Sequence, residues 1–213
     1  MKNFLIVFYL ILIQLTCSGQ IYTPGKDFVF DVQYYQSDHK ITSNEIISLS
    51  ITGRNWSDTQ DQKEAIWNYP SNQKTKQQFK DQFSLGWTKY DTTGFIENDK
   101  KIWLHPPRHN QYTLNETAPF PDFRRNLKVG DTYQSILYIG NGFGEWTGGK
   151  IRCTYEILKR DQDSADTVWT ISAQSEFDGK TNILKMIFSE KRGFILMDYS
   201  FFNGDKETVK LKE

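Results

Sequence analysis

Thr167-Val-Trp-Thr-Ile-Ser-Ala-Gln-Ser-Glu-Phe177, the pair Asp178-Gly179, and Thr181-Asn-Ile-Leu-Lys-Met-Ile-Phe188 decide the fold. Trp169, Ile171, Ala173 and Phe177 recur at every second or fourth position, the period of a half-buried strand rather than of a helix. Asp-Gly between two such runs predicts a tight hairpin, because a type I′ turn needs positive φ at both central residues. Working toward the C-terminus, Gly193 breaks before a strand over 194–202, and Asn203-Gly204 turns the chain into Glu207–Lys212. There Val209 and Leu211 alternate with Lys210 and Lys212. The end of the chain therefore reads as an antiparallel meander.

Toward the N-terminus the same period continues. Tyr133, Ser135, Leu137 and Ile139 share one face of a strand over 131–139, and Ile151, Cys153, Tyr155 and Ile157 share one over 150–158. Residues 159–165 read as a charged turn. In the first half, Phe28, Phe30, Val32 and Tyr34 alternate with polar residues, and Ile47, Leu49 and Ile51 do the same over 45–52. A third strand over 65–69 stops at Pro70. Residues 71–84 are polar, with Phe79 and Phe83 at the spacing of one short helix or in a long loop. Strands at 85–90, 95–97 and 101–104 follow, with turns at Asp91-Thr-Thr-Gly94 and Asn98-Asp99. Short strands with frequent turns predict an all-β domain. The expected form is a curved antiparallel sheet, a partly closed barrel or half-barrel, with at most one or two short helices.

The two halves meet in a Pro-rich crossing at 105–125. It holds four of the six prolines (Pro106, Pro107, Pro119, Pro121) and two of the three histidines, His105 and His109. Proline fixes φ and removes a backbone donor, so Pro106 and Pro107 must end the strand that precedes them. The histidines are four apart, but the prolines between them exclude the helix that would align them on a metal. No metal site and no cofactor is expected. Trp103, His105, Arg108 and Arg124 are the candidate ligand-binding residues of this region. They are expected to line a rim that faces Phe143 and Trp146 of the glycine-rich loop at 140–149.

That loop contains Gly144-Glu-Trp-Thr-Gly-Gly149-Lys150, which matches a phosphate-loop spacing. Ile151 follows instead of Ser or Thr, and a strand follows instead of a helix, so a nucleotide site is excluded. There is no G-x-S-x-G elbow, and Glu145 is the one acid of the loop worth keeping for a hydrolase reading. Asn55-Trp-Ser57 and Asn115-Glu-Thr117 match the N-glycosylation pattern, which matters only in a eukaryotic secretory pathway.

Residues 1–19 read as an export signal: Lys2, an apolar run from Phe4 to Ile13, then Thr16, Cys17, Ser18 and Gly19. Cleavage after Gly19, with Cys17 and Gly19 as the small residues at −3 and −1, would leave residues 20–213 as one β domain beginning at Gln20. Lipidation of Cys17 is the alternative, and it fits less well because Leu15 lies one place late for the lipoprotein pattern. The apolar run is too short to span a bilayer as a helix, and no other stretch is apolar enough, so no transmembrane segment is expected in the mature chain. With 26 basic and 26 acidic residues the charge balances, which argues against nucleic acid as a partner. Cys153 remains as the lone mature cysteine and reads as a buried thiol.

Several stretches resemble a group of exported β-rich proteins of Gram-negative bacteria known as domains of unknown function. They are Phe188-Ser-Glu-Lys-Arg-Gly-Phe194, Met197-Asp-Tyr199, Asn203-Gly-Asp-Lys206, Leu211-Lys-Glu213, Trp103-Leu-His-Pro-Pro-Arg108 and Ala118-Pro-Phe-Pro121. The resemblance implies a curved antiparallel sheet and a periplasmic or cell-surface location, and brings no catalytic residues. The functional expectation is a non-enzymatic protein that binds an apolar or amphipathic ligand, or an envelope component, in the concave face. A structural or protein-interaction module of the envelope is the alternative, and a hydrolase is third.

Overall fold

The computed structural model describes residues 19–38, 40–56, 61–70, 75–76, 87–140, 148–162 and 165–212. In chain order the strands are β1 (Asp27–Gln36), β2 (Ile41–Asn55), β3 (Lys63–Asn68), β4 (Tyr90–Glu97), β5 (Lys101–Leu104) and β6 (Asp122–Arg124). They continue with β7 (Thr132–Ile139), β8 (Gly149–Gln162), β9 (Thr167–Phe177), β10 (Lys180–Ser189), β11 (Gly193–Ser200) and β12 (Lys206–Leu211). A 3₁₀ helix, Asn110–Thr117, lies between β5 and β6. Among the described residues no helix is long and apolar enough to cross a membrane.

All pairings are antiparallel, in the order β6-β5-β4-β3-β2-β1-β12-β11-β10-β9-β8-β7. The chain starts at the middle of the sheet, meanders out to one edge at β6, crosses to the other edge at β7, and meanders back. The first and last strands pair with each other, Phe30 opposite Leu211 and Tyr34 opposite Glu207. This order forces the sheet to curl. Twelve strands at a spacing of about 4.8 Å would put the edges of a flat sheet about 50 Å apart. The link from Arg124 to Thr132 reaches at most about 30 Å. The result is a curled half-barrel.

The edges meet through side chains. Tyr133 Oη donates to the Asp122 carbonyl, and Arg124 Nη2 donates to the Gln134 carbonyl at 2.9 Å. The Arg124 guanidinium also lies 4.7 Å from the centre of the Tyr133 ring.

Alternation dictates what faces inward. On β1, Phe28, Phe30, Val32 and Tyr34 are buried while Asp27, Val29, Asp31 and Gln33 are exposed. Phe30, Leu49, Trp67, Tyr155, Ile171, Phe188 and Val209 continue one buried surface around the curl. Asp178 and Gly179 both have positive φ, 49° and 68°, as the hairpin expectation required.

Two turn expectations fail. Asp91 to Gly94 lies inside β4, where Asp91 faces inward and its carboxylate is paired with Arg108, which removes the usual penalty for Asp in a strand. Gly94 leaves room beside it for the Gln62 side chain, whose Oε1 would lie 2.7 Å from a Cβ there and would have to turn aside for any other residue. Residues 159–162 extend β8 past a bulge at Ile157/Lys159. They are exposed, so their charges stay in water.

Candidate functional site: the crossing inside the curl

The crossing enters the curl instead of running over it. His105 N–H donates to the Gly94 carbonyl at 3.1 Å, and Trp67 Nε1 donates to the His105 carbonyl at 2.9 Å. Pro106 and Pro107 are buried, and proline costs least here because it brings no N–H that would need an interior partner. Asn110 takes a positive φ of 60°, and its side chain exchanges two hydrogen bonds of 3.0 Å with the Thr88 backbone, as a neighbouring strand would.

The 3₁₀ helix is polar, and the inner faces beneath it are polar where it sits. Gln111 Nε2 and Tyr112 Oη donate to Glu45 Oε2 of β2 at 2.8 and 3.1 Å. Asn115 Nδ2 donates to the Pro107 carbonyl at 2.9 Å and reaches both Glu207 oxygens of β12 at 3.1 and 3.2 Å. Beyond the helix the opposite wall captures the main chain. Ser175 Oγ and Asn182 Nδ2 donate to the Thr117 carbonyl at 2.7 and 2.9 Å, and Tyr155 Oη donates to the Phe120 carbonyl at 2.9 Å. Thus β2, β3, β4, β8, β9, β10 and β12 all bind one segment, which acts as an internal keystone.

Burial sets the proton affinities inside. Glu207 has full burial and only the Asn115 amide opposing it, so its carboxyl is pushed up to about 8 and carries a proton at neutral pH. Burial, with the charges of Glu45 and Glu207 adding to it, holds the Tyr112 phenol well above its ordinary value. Ser43 Oγ, Glu45 Oε1, Gln111 Oε1, Asn115 Oδ1 and Tyr199 Oη are buried without a hydrogen-bond partner among the described residues. Such atoms in a native interior are ordinarily met by buried water. Cys153 is fully buried, and burial pushes its thiol up to about 12, in keeping with an inert core residue.

A cluster of charged side chains ties the crossing to β4. Arg108 Nε donates to Asp91 Oδ2 at 2.8 Å and Arg108 Nη2 to Asp91 Oδ1 at 3.3 Å. His109 Nδ1 lies 3.3 Å from Asp91 Oδ2, while Glu116 Oε1 lies 3.7 Å from Arg108 Nη1 and 3.6 Å from His105 Nε2. Burial works to raise Asp91, but hydrogen bonds from His109 and Arg108 outweigh it and hold the carboxyl below its usual range. Burial raises Glu116 despite Arg108, and burial drops His105 to about 4, so its ring is neutral. Arg108 is thereby spent on protein carboxylates. The chemistry available is that of an ionic clamp, in which Asp91 takes two hydrogen bonds from Arg108 while Glu116 stands at ion-pair distance from Arg108 and His109 at ion-pair distance from Asp91. Among the described residues no group of three or more His, Cys, Asp or Glu is placed to hold a metal.

The candidate residues fall in three places. Trp103 on β5 packs at 6.1 Å, edge-on, against His105 and at 5.8 Å against Phe120. His105 connects to Arg108 through Glu116. Arg124 lies on β6, the strand paired with that of Trp103, and its guanidinium reaches the β6–β7 seam. Phe143, Trp146, Glu145 and Cys17 lie outside the described residues, and so does the expected contact between the rim and the glycine-rich loop.

The sequence reading missed Glu45, Asp91, Asn115, Glu116 and Glu207. Two of them carried a signal: Glu45 has the parity of Ile47 and Leu49, and Glu207 that of Val209, so each had to face inward. The concave face that was expected to hold a ligand is occupied by residues 105–121.

No protein-family model and no curated protein matches the sequence. Two solved structures are similar. One is a candidate exported protein with a YMCC-like fold from Bacteroides fragilis NCTC 9343, with a TM-score of 0.41 and 6% identity, covering 90% of this chain and 97% of that one. The other is a candidate lipoprotein from Parabacteroides distasonis ATCC 8503, with a TM-score of 0.40 and 10% identity, covering 91% of this chain and 97% of that one.

Proposed function

We propose that this chain is an exported, non-enzymatic interaction module of a bacterial envelope, and that β7 receives an extended segment of a partner protein. Support for export comes from the leader pattern of residues 1–19 and from a compact start to the sheet just beyond it. Ile21 and Tyr22 are buried, and their N–H groups donate to the two oxygens of Glu97, each at 2.8 Å. An occupied interior shifts the functional reading from the concave face to the outside.

The observation that carries the proposal is the open half of β7. Since the Gln134 carbonyl points away from β8 to meet Arg124, the ladder groups of Ile136 and Tyr138 point the same way by the two-residue period. Among the described residues nothing pairs with them, because β6 is only three residues long. Their side chains are also exposed, 50% for Ile136 and 73% for Tyr138. Native sheets rarely leave such an edge uncovered.

Arg152 stands opposite Ile136 and Lys150 opposite Tyr138, with Arg124 at the near end. A strand with alternating acidic and apolar residues would complement this edge in charge and hydrogen bonding. A second copy of β7 would bring its own Arg124, Lys150 and Arg152 toward these cations and is disfavoured.

The test is a photocrosslinking amino acid at position 138, with position 185 on the exposed face of β10 as control, in cells that export the protein. The expected result is one discrete adduct from position 138, lost in Ile136→Pro, which removes an edge N–H that no described residue pairs with. Equal adducts from both positions, or an adduct from 138 that survives Ile136→Pro, would sink the proposal.

A further inference from the structure

We infer that Gln20 is a modification site: once exposed as the N-terminal residue it closes into pyroglutamate. The inference rests on the export reading, in which the leader is cut between Gly19 and Gln20. What the structure adds is the state of the residues around that cut. Ile21 and Tyr22 are fixed by the Glu97 carboxylate, Tyr22 packs at 4.8 Å on Phe28 and 5.6 Å on Phe95, and Lys26 Nζ donates to the Ile21 carbonyl at 3.3 Å. The Tyr22 hydroxyl also accepts from Phe194 N–H at 3.3 Å. Held at this point, the chain leaves Gly19 and Gln20 exposed and outside any strand or helix. Gln20 makes no hydrogen bond to the described residues, so neither its α-nitrogen nor its side-chain amide is held away from the other.

Ring closure needs only rotation within the residue. The α-amine nitrogen attacks Cδ of the side-chain carboxamide, a C–N bond forms, and the Cδ–Nε2 bond breaks. The amide nitrogen leaves as ammonia, taking up a proton from the amine. The product is a neutral five-membered lactam, with no oxidant, reductant or cofactor consumed. Ring closure removes the α-ammonium charge one residue ahead of the Glu97 clamp and denies aminopeptidases a free amine. Because the next two peptide N–H groups are committed to Glu97, the clamp is unaffected by the change.

The experiment is mass spectrometry of the N-terminal peptide from protein exported by a Gram-negative host carrying the full-length gene. Gln20→Ala serves as the variant that cannot cyclise. The expected wild-type peptide begins at residue 20, is lighter by one ammonia than the free-glutamine peptide, and loses its first residue to pyroglutamate aminopeptidase. The variant should begin at residue 20 with a free amine. A wild-type peptide with intact, free Gln20 overturns the inference and leaves the export reading standing. A chain that begins at acylated Cys17 or retains Met1 overturns both, and the mass distinguishes these cases.

Discussion

Replacing Asn115 with Ala tests whether the crossing holds the two halves together. Asn115 is fully buried, and its Nδ2 serves the Pro107 carbonyl and both oxygens of Glu207. The substitution leaves a carbonyl and a carboxyl in the interior without that donor, each costing about 1–3 kcal/mol. It also removes the unpartnered Asn115 Oδ1, which returns part of the cost. The expected net loss is about 3 kcal/mol, a shift of about 1 M in the urea midpoint at unchanged slope for a protein of this size. The assay is equilibrium unfolding in urea, followed by tryptophan fluorescence. A cycle with Glu207→Met isolates the cross-sheet bond, because the Asn115 deletion should cost less once the carboxyl is gone. The double variant should fall short of additivity by at least about 1 kcal/mol, within the range found for buried contacting pairs. A single-variant cost below about 1 kcal/mol would refute the keystone role. So would additivity within about 0.5 kcal/mol, the scatter expected for independent sites.

Other perturbations reach the same architecture from different sides. Glu207 is held near 8 in the folded state against an ordinary 4.5, so its stabilising contribution is complete below about pH 4.5 and is lost as pH rises through about 8. Glu207→Gln cannot titrate, so its stability relative to wild type should climb across pH 5–8 by up to about 1.4 kcal/mol per pH unit. A difference that is flat with pH would show that the carboxyl is not protonated inside. Gly193 has φ +83°, and a Cβ there would sit 2.5 Å from the Tyr22 hydroxyl. Gly193→Ala should cost on the order of 1–3 kcal/mol from backbone strain alone, more with the clash, and should speed proteolysis of the first residues ahead of β1. Unchanged stability and unchanged proteolysis would contradict that packing.

Most strands were legible because they obey one physical rule, a buried face repeated every two residues and stopped by turn chemistry, whereas β4 was read in part as a turn and β6 was not read as a strand. Asp178-Gly179 shows this most clearly, since the turn residues and both flanking strands all agree. The buried charges were half legible. Glu45 and Glu207 hold inward positions by parity, but a carboxylate on an apolar face reads as an anomaly until its partners Gln111, Tyr112 and Asn115 are known. Those partners come from a segment without periodicity. Its conformation follows from tertiary hydrogen bonds to seven strands, and no local pattern encodes them. Asp91 was lost to a turn reading for the same reason: Asp-Thr-Thr-Gly is turn chemistry by composition, and only the distant Arg108 makes it a strand. The crowding of Trp103, His105 and Arg108 was visible in the sequence as an aromatic, His and Arg cluster, while Glu116 and Asp91, which lie beside His105 and Arg108, carry no signal nearby.

Hydrogen exchange of the crossing tests the central claim, that residues 105–121 are a permanent part of the interior and not a lid over a cavity. The amides of His105, Tyr112 and Ala118 each donate to a carbonyl inside the curl. If the crossing is a keystone, these amides exchange only through global unfolding, with protection equal to that of β1 and β12. Exchange of the crossing through a lower-energy opening, while β1 and β12 keep full protection, would contradict the claim and reopen the concave face to a ligand.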